Sequence, residues 1–358
     1  MNNEEEKKII EEIKKISEIK SPERVRNLII DSINVFNLDL KGLKILTEAA
    51  SSYFSLTPVI AAVGGADKVY AVAKKSRYAS IELVKKQTEL IARFMGTEEK
   101  IEILDEKKDF AINEADIITN LGWVRPIDKE MVSKMKETAV VPLMREAWEF
   151  RDSDIDLKAC KEKGIVVLGT NEKFRGLELF NYSGVLIAKQ LFMEGIEIYK
   201  SKVLVIGSKS DGYSNEIIRW FRAAGAEVFD CIKTAKGVDA IIISTYPEKP
   251  KISEMDIKNL GKTSRGAVVL TVMGESLDVG AFKSAGFIFK NKNLREGYMD
   301  VTMAFVGPKP VIDLHTAGLK VGELMGRARL NGLTMEDAEK EALKNPLCQS
   351  LDVCRGVL

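Results

Sequence analysis

The sequence predicts an α/β protein made of two Rossmann-like, doubly wound parallel-sheet domains with an interdomain cleft. Short apolar segments with strand character alternate with helical segments along most of the chain, which is typical of βαβ units and a parallel sheet. The length of 358 residues favours two compact units over one. The segment 202–231 also has the pattern of a nucleotide-binding βαβ unit.

The first half of the chain supplies a full set of alternating elements. Its first forty or so residues have apolar positions spaced three and four apart, which predicts helices. A short strand at 43–46 leads through small residues into a helical stretch that ends at Gly64 and Gly65. The later strands predicted in this half are 69–72, 101–104, 116–119, 138–143 and the end of segment 153–168. The helices predicted between them are 80–95, 127–136 and the start of that last segment.

The second half repeats the alternation after a long apolar helix at about 177–195, which we interpret as a link between domains. Its predicted strands are 202–206, 226–230, 239–243, 267–271 and 311–314, with a helix at 213–223 between the first two. From residue 319 to about 345 the pattern is helical again. We therefore expect a flavodoxin-like domain over 1–182, completed by 319–358, and a Rossmann nucleotide-binding domain over 183–318.

Composition argues against several classes of function. The net charge is +1 and no basic stripe is interleaved with aromatic residues, so we expect no nucleic-acid partner. The four cysteines are far apart and form no CxxC pair, so we expect no metal site. No segment approaches the roughly 20 apolar residues that span a bilayer, and the charged N-terminus is unlike a signal peptide. We expect a cytoplasmic protein with no membrane partner.

The strongest motif is the predicted strand, turn and helix that begin at residue 202. The strand ends at Gly207, a polar turn reaches Gly212, and the strand after the helix ends at Asp230. Such a turn offers free backbone N–H groups and a helix N-terminus to a pyrophosphate. Asp230 is placed to accept hydrogen bonds from a ribose diol, and it would repel the extra phosphate of NADP, so the pattern favours NAD.

This motif departs from the usual GxGxxG in one position. Lys209 replaces the middle glycine, and its charge would either attract the pyrophosphate or block the site. We assign Asp211, Tyr213 and Thr245 to the same nucleotide site, because they lie in the turn, at the helix start and after strand 239–243. The alternative is a plain βαβ crossover that binds no ligand.

Three further segments have recognisable patterns. Residues 154–167, which begin Asp-Ile-Asp-Leu, match an "NIDL" turn followed by "A..rGI.V". Residues 267–278 are similar to "vvNtaRGelvd", and residues 313–318 to "TPHiaG". Together with the turn at Gly207, they follow the order found in the D-isomer-specific 2-hydroxyacid dehydrogenases, which the chain resembles over roughly 116–322. The resemblance implies two Rossmann-like domains, NAD as cofactor, and a homodimer formed through the nucleotide domain.

The catalytic residues of that family are only partly present. The family uses an Arg to hold the substrate carboxylate, a His to transfer a proton, and a Glu to tune the His. Met273 stands at the Arg position, the neighbourhood of the Glu reads Thr-Met-Ala-Phe at 302–305, and His315 keeps its place. We predict that His315 lies at the end of strand 311–314 and acts as acid and base, with Asp313 on the same face to orient it. The alternative is a structural histidine.

A second departure lies after strand 138–143. The family has a glycine-rich loop there that binds substrate, whereas this chain has charged and aromatic side chains at 145–151. Arg145 or Arg151 could replace the missing carboxylate clamp, with Trp148 stacking on a ring; the alternative is a solvated loop of Arg–Glu pairs. The segment 119–125 could add polar groups to the same cleft.

These observations favour one function and leave two alternatives. The leading hypothesis is an NAD-dependent oxidoreductase related to the D-2-hydroxyacid dehydrogenases, with an altered site for a small-molecule substrate. One alternative is a non-redox enzyme that binds S-adenosylmethionine or S-adenosylhomocysteine, since the resemblance extends loosely to adenosylhomocysteine hydrolases. The other is a catalytically silent nucleotide-binding protein. The retained His315 and Asp230 favour the first, and the loss of the Arg and the Glu favours the other two.

Overall fold

The computed structural model describes residues 2–208, 212–245, 252–274, 277–291 and 298–351. The chain folds into two compact units, one formed by Met1–Glu178 with Gly307–Leu358 and the other by Leu179–Val306. Each unit is built around a mainly parallel sheet, so the α/β fold class is confirmed. Within the described ranges, no helix is both long enough and apolar enough to cross a membrane.

The strands are short and apolar. In chain order they are β1 (Lys44–Glu48), β2 (Lys68–Val72), β3 (Ile101–Leu104), β4 (Ile117–Ile118), β5 (Val140–Pro142), β6 (Val166–Thr170), β7 (Lys202–Gly207), β8 (Glu227–Phe229), β9 (Ala240–Ser244), β10 (Val268–Thr271), β11 (Ile288–Phe289) and β12 (Cys348–Gln349). All five residues of β9 are buried, as expected of a central parallel strand covered on both faces.

The α-helices lie between these strands. In chain order they are α1 (Asn3–Ile16), α2 (Pro22–Phe36), α3 (Thr57–Val63), α4 (Ile81–Met95), α5 (Asp109–Glu114), α6 (Lys129–Lys134), α7 (Leu157–Lys163), α8 (Ser183–Met193), α9 (Gly212–Ala223), α10 (Glu254–Gly261), α11 (Val279–Ser284), α12 (Pro308–Leu330) and α13 (Met335–Ala342). Local signals set their ends. The Ser80 side chain accepts the Leu83 N–H before α4, and Gly96 ends that helix in the left-handed region at φ 68°.

Each sheet has a point at which the strand order reverses. In the first unit the order is β12-β6-β5-β4-β1-β2-β3, with only β12 antiparallel to its neighbour. The chain runs from β1 outward to β3 and then returns to the other side of β1, so the reversal lies between β1 and β4. In the second unit the order is β11-β10-β9-β7-β8, and the reversal lies between β7 and β9. Ligands of open α/β sheets bind beyond the carboxyl ends of the strands at such points.

Most of the predicted strands are confirmed, but the strand expected at 311–314 is wrong. Those residues lie inside α12, which packs on β4, β5 and β6 and on the helices α2, α3 and α13. The prediction fails because α12 is buried on almost every side, so its sequence lacks the polar face that identifies a surface helix. Pro308 is tolerated there because it occupies the first turn of the helix.

The chain re-enters the first unit earlier than the sequence pattern predicts, because the whole of α12 belongs to that unit. The return occurs at Gly307, whereas the sequence pattern predicts residue 319. The single apolar helix expected at 177–195 is a 3₁₀ turn over Leu179–Tyr182 followed by α8. No sequence pattern indicates α10, α11, β11 and β12, which have between two and eight residues each.

Candidate functional site

In the second unit, the carboxyl end of β7 packs closely against the start of α9. A Cβ atom at Gly207 would lie 2.2 Å from Cβ of Ser214, so no side chain fits there without displacing the helix. The Ser208 N–H donates to the carbonyl of Ser244 at 3.2 Å, which holds the end of β7 beside the end of β9. This is the close strand–helix approach that a nucleotide-binding turn requires.

The other predicted nucleotide residues are spread along the same edge. Thr245 is buried directly after β9, next to the turn at Gly207, and α9 begins at Gly212. Asp230 follows β8, is exposed, and has a carboxylate oxygen 3.7 Å from a guanidinium nitrogen of Arg222. The ring of Tyr213 packs inside the unit, with its centroid 4.5 Å from that of Phe180. Lys209 and Asp211 lie outside the described residues.

The end of β10 is apolar where the family resemblance implies an arginine. Met273 is buried and forms an antiparallel bridge with Met299. Beside it, Asn291 holds the backbone of Thr271, accepting its N–H at 2.6 Å and donating to its carbonyl at 3.1 Å. This strand end therefore presents no cation at Met273 that could bind a carboxylate.

In the first unit, the reversal point is occupied by Glu48, the last residue of β1. Its Oε2 atom accepts the Trp123 N–H at 2.9 Å, and the side chain is 6% exposed. Burial raises the pKa of Glu48, while the backbone N–H of Trp123 and the charge of Arg125 act in the opposite direction. Glu48 is thus a buried acid whose proton is held more tightly than that of an exposed glutamate.

Asn120 stands on the other side of the reversal point, after β4. Its Oδ1 atom accepts the Met144 N–H at 2.8 Å, so the amide ties the end of β4 to the end of β5. The residue is 2% exposed, and its Nδ2 atom has no hydrogen-bond partner within the part of the chain that the structure describes. A buried N–H group without an acceptor is costly, which makes Asn120 a candidate ligand contact.

Three arginines converge on one carboxylate beside these residues. Asp154 Oδ2 lies 2.7 Å from Arg125 Nη1, forms a short ion pair with Arg145, and lies 3.7 Å from Arg151 Nη1. Burial acts to raise the pKa of Asp154, but the charges and hydrogen bonds of Arg125 and Arg145 outweigh it and the pKa is lowered. Burial also lowers the pKa of Arg145, and the nearby Arg125 adds to that effect. Arg145, which the sequence predicts to bind a substrate carboxylate, is therefore already paired with the carboxylate of Asp154.

Three glutamates follow β5 and β6, of which Glu146 and Glu172 are buried and Glu149 is half-buried. Burial raises the pKa of Glu146, Glu149 and Glu172, and for Glu172 the negative charges of the other two add to the effect. Gln349, in β12, donates from Nε2 to Oε2 of Glu146 at 2.8 Å. The strand β12 is thus attached to the loop that also contains Arg145 and Arg151.

His315 does not lie at a strand end, because α12 contains it. Its Nδ1 atom lies 2.7 Å from Oγ1 of Thr57, and its ring centroid is 5.9 Å from that of Phe54. Burial lowers the pKa of His315 to about 4, so the ring is neutral at physiological pH. The expected pairing with Asp313 is also wrong, because positions two apart face different sides of a helix and Asp313 instead accepts from Lys309 Nζ at 2.7 Å. The acid–base role of His315 stays a prediction.

Glu48 is the residue that sequence reasoning misses. The small residues that follow Glu48 indicate a turn, so the sequence pattern gives it no functional role. An acid directly after a buried apolar strand is nevertheless a signal that could have identified it as a candidate site residue. Its significance depends on the strand order, which brings β1 next to β4.

Comparison with known proteins supports the fold. No protein-family model matches the sequence, and no curated protein matches it significantly. One subunit of the dipicolinate synthase from Bacillus halodurans is 14% identical, with a TM-score of 0.50 over 81% of this chain and 99% of that one. The corresponding chain of the dipicolinate synthase from Bacillus subtilis is 13% identical, with a TM-score of 0.49 over 84% and 99% of the two chains.

A third similar structure is the pyruvate reductase of Chlamydomonas reinhardtii. It is 11% identical, with a TM-score of 0.47 over 82% of this chain and 98% of that one. The TM-score of 0.50 with the Bacillus halodurans subunit shows that the two chains share a fold. The chain therefore has the α/β fold implied by its resemblance to the D-isomer-specific 2-hydroxyacid dehydrogenases.

Proposed function

We propose that the protein is an oxidoreductase that binds NAD at the carboxyl edge of the sheet in the second unit. The observation that carries the proposal is the packing of Gly207 against Ser214 at the reversal point between β7 and β9. That packing puts the end of a central strand and the N-terminus of α9 side by side. A pyrophosphate is bound by this arrangement through backbone N–H groups and the helix dipole.

Asp230 supports the choice of NAD over NADP. It follows β8, the strand next to β7, where a ribose diol lies when the pyrophosphate occupies the turn. Its carboxylate is exposed and only loosely paired with Arg222, so it can accept hydrogen bonds from two hydroxyl groups. A 2′-phosphate in that position would be repelled.

The substrate site of this oxidoreductase would be altered. Met273 is buried and offers no charge where the resemblance implies an arginine. Arg145 remains a candidate substrate contact, because its Nε atom is buried without an acceptor in the described ranges. His315 remains a candidate acid and base, although its burial and its hydrogen bond to Thr57 support a structural role.

Thermal-shift measurement of nucleotide binding tests the proposal. At a hundredfold excess over Kd, a ligand stabilises the folded state by about 2.7 kcal/mol. We expect NAD and NADH to raise the melting temperature, with smaller shifts for NADP and S-adenosylhomocysteine. Asp230→Ala should weaken the NAD shift, whereas Glu227→Ala, at the other end of β8, should not. A shift with S-adenosylhomocysteine alone would replace the proposal with the adenosyl alternative, and no shift with any nucleotide would indicate a silent protein.

We also infer a homodimer formed through the second unit. Three large apolar side chains near the end of α8 are strongly exposed, namely Phe192 at 59%, Met193 at 70% and Tyr199 at 69%. Exposed large apolar side chains close together in sequence support a protein–protein interface. Light scattering should give twice the chain mass for the wild type and one chain mass for a Phe192→Glu/Met193→Glu variant. A monomeric wild type would contradict this inference.

A further inference from the structure

Buried hydrogen-bond donors without acceptors are concentrated at one edge of the first sheet. The side chains of Asn120, Trp123 and Arg145 each have a buried N–H nitrogen, Nδ2, Nε1 and Nε respectively, with no partner in the described ranges. All three residues lie in the loops that follow β4 and β5. Since buried polar groups are almost always hydrogen-bonded, three such donors on adjacent loops indicate a ligand that carries acceptors.

The position of Asn120 places its unpaired donor at the strand ends. Its Oδ1 atom is fixed by the Met144 N–H, which comes from the residue next to Arg145. The amide therefore bridges the ends of β4 and β5, and its remaining NH₂ group lies at the edge where these loops meet. Asn120 is 2% exposed, so bulk water does not replace the missing acceptor.

Three guanidinium groups lie close together at the same edge. Arg125, Arg145 and Arg151 share the single carboxylate of Asp154. Donors without acceptors next to a cluster of guanidinium groups are suited to a carboxylate ligand.

Glu48 provides the opposite charge across a short turn. A Cβ atom at Gly122 would lie 3.3 Å from Glu48 Oε2 and 3.9 Å from Arg125 Nη2, so the carboxylate and the guanidinium flank this glycine. Glu48 accepts the Trp123 N–H, yet no cation of the described residues lies within ion-pair distance of it. Because burial disfavours the charged form of Glu48, an ammonium group beside it would stabilise the carboxylate.

We propose that this edge binds a small amino acid. Its carboxylate accepts hydrogen bonds from Asn120 Nδ2 and Arg145 Nε, and its ammonium group donates to Glu48. The inference deepens the proposed function, since the amino acid would be the substrate of the oxidoreductase. It concerns binding only, and the residues that carry it all belong to the first unit.

Titration calorimetry without nucleotide tests the site directly. The probes are the common L-amino acids, their D-enantiomers, and the 2-hydroxy acids with the same side chains. We expect at least one amino acid to bind about tenfold or more tightly than its 2-hydroxy counterpart, because a charged hydrogen bond is worth more than a neutral one. Glu48→Gln should remove that preference, and Asn120→Asp should weaken binding of both ligands by placing a carboxylate against a carboxylate.

Matched variants separate binding from folding. Glu102→Gln makes the same chemical change on β3 of the same sheet and should leave affinity unchanged. Trp123→Phe removes one buried donor without changing charge and should weaken the binding of the amino acid. It therefore tests the site even where Glu48→Gln fails to fold. Failure of every amino acid to bind, equal or tighter binding of the hydroxy acids, or a preference that survives Glu48→Gln would each overturn the proposal. Because no nucleotide is present, these outcomes are independent of the NAD measurement.

Discussion

The imidazole of His315 in α12 and the hydroxyl group of Thr57 in α3 form a buried hydrogen bond of 2.7 Å. The bond joins two parts of the first unit that are far apart in sequence. It holds the ring in a place where burial disfavours the charged form. This relationship leads to a prediction about stability that does not depend on catalysis.

His315 should make the protein less stable in acid. Its folded pKa of about 4 lies below the ordinary value of 6.5, so the unfolded chain binds the extra proton first. The stability due to neutral His315 is complete above pH 6.5 and is lost as the pH falls towards 4. The loss is on the order of 3 kcal/mol, from about 1.4 kcal/mol for each pKa unit. Urea unfolding of the wild type and His315→Gln should show a smaller decrease in the variant over this range. Equal slopes would contradict the prediction.

Gly207→Ala should damage both the fold and the nucleotide site. The new Cβ would overlap Cβ of Ser214 at 2.2 Å, and overpacking of this kind costs about 1–3 kcal/mol. We expect a lower melting temperature and a loss of the NAD shift. The double variant Gly207→Ala/Ser214→Gly removes the overlapping atoms and should recover part of both, with Ser214→Gly alone as control. If Gly207→Ala alone were as stable as the wild type, a side chain at residue 207 would fit against Ser214 and the prediction would be wrong.

Asp154→Asn should destabilise the first unit by about 3 kcal/mol, because a buried charge without its partner is strongly unfavourable. The change leaves Arg125, Arg145 and Arg151 close together without their common carboxylate. Added salt should restore part of the stability by screening the repulsion. Asp152→Asn, an exposed position two residues earlier, is the control. Equal unfolding free energies for the two variants would mean that the arginines do not depend on Asp154.

Glu172→Gln should stabilise the protein increasingly as the pH rises. Because the folded pKa of Glu172 lies well above the ordinary 4.5, the folded state keeps a proton that the unfolded chain releases. Wild-type stability therefore falls as the pH rises from 4.5 towards the folded pKa, and glutamine removes this decrease. Unfolding free energies from about pH 5 to about pH 9 should diverge in favour of the variant. Glu162→Gln, on the exposed face of α7, should run parallel to the wild type.

The sequence is a good guide to the strands of both sheets. Segments such as 69–72 and 239–243 are short, apolar and bounded by polar residues, so the strand signal is local. The prediction around His315 is wrong because α12 is buried on almost every side and lacks a continuous polar face. The strand β12 escapes prediction because two residues form no pattern. The predicted nucleotide site at Gly207 rests on its glycines and on the strand before it, and it stays a prediction.

By itself, the sequence determined the fold class, the strand β7 that ends at Gly207, and the presence of charged residues after β5. These properties are encoded over a few neighbouring residues, as periodicity, turn chemistry and strand length. Only the tertiary structure decided that Glu48 accepts the Trp123 N–H and that Arg125 and Arg145 share Asp154. Those contacts join residues from separate loops, and they depend on which strands lie side by side at the reversal point. Strand order is a property of the whole packed sheet, and no single segment of the chain specifies it.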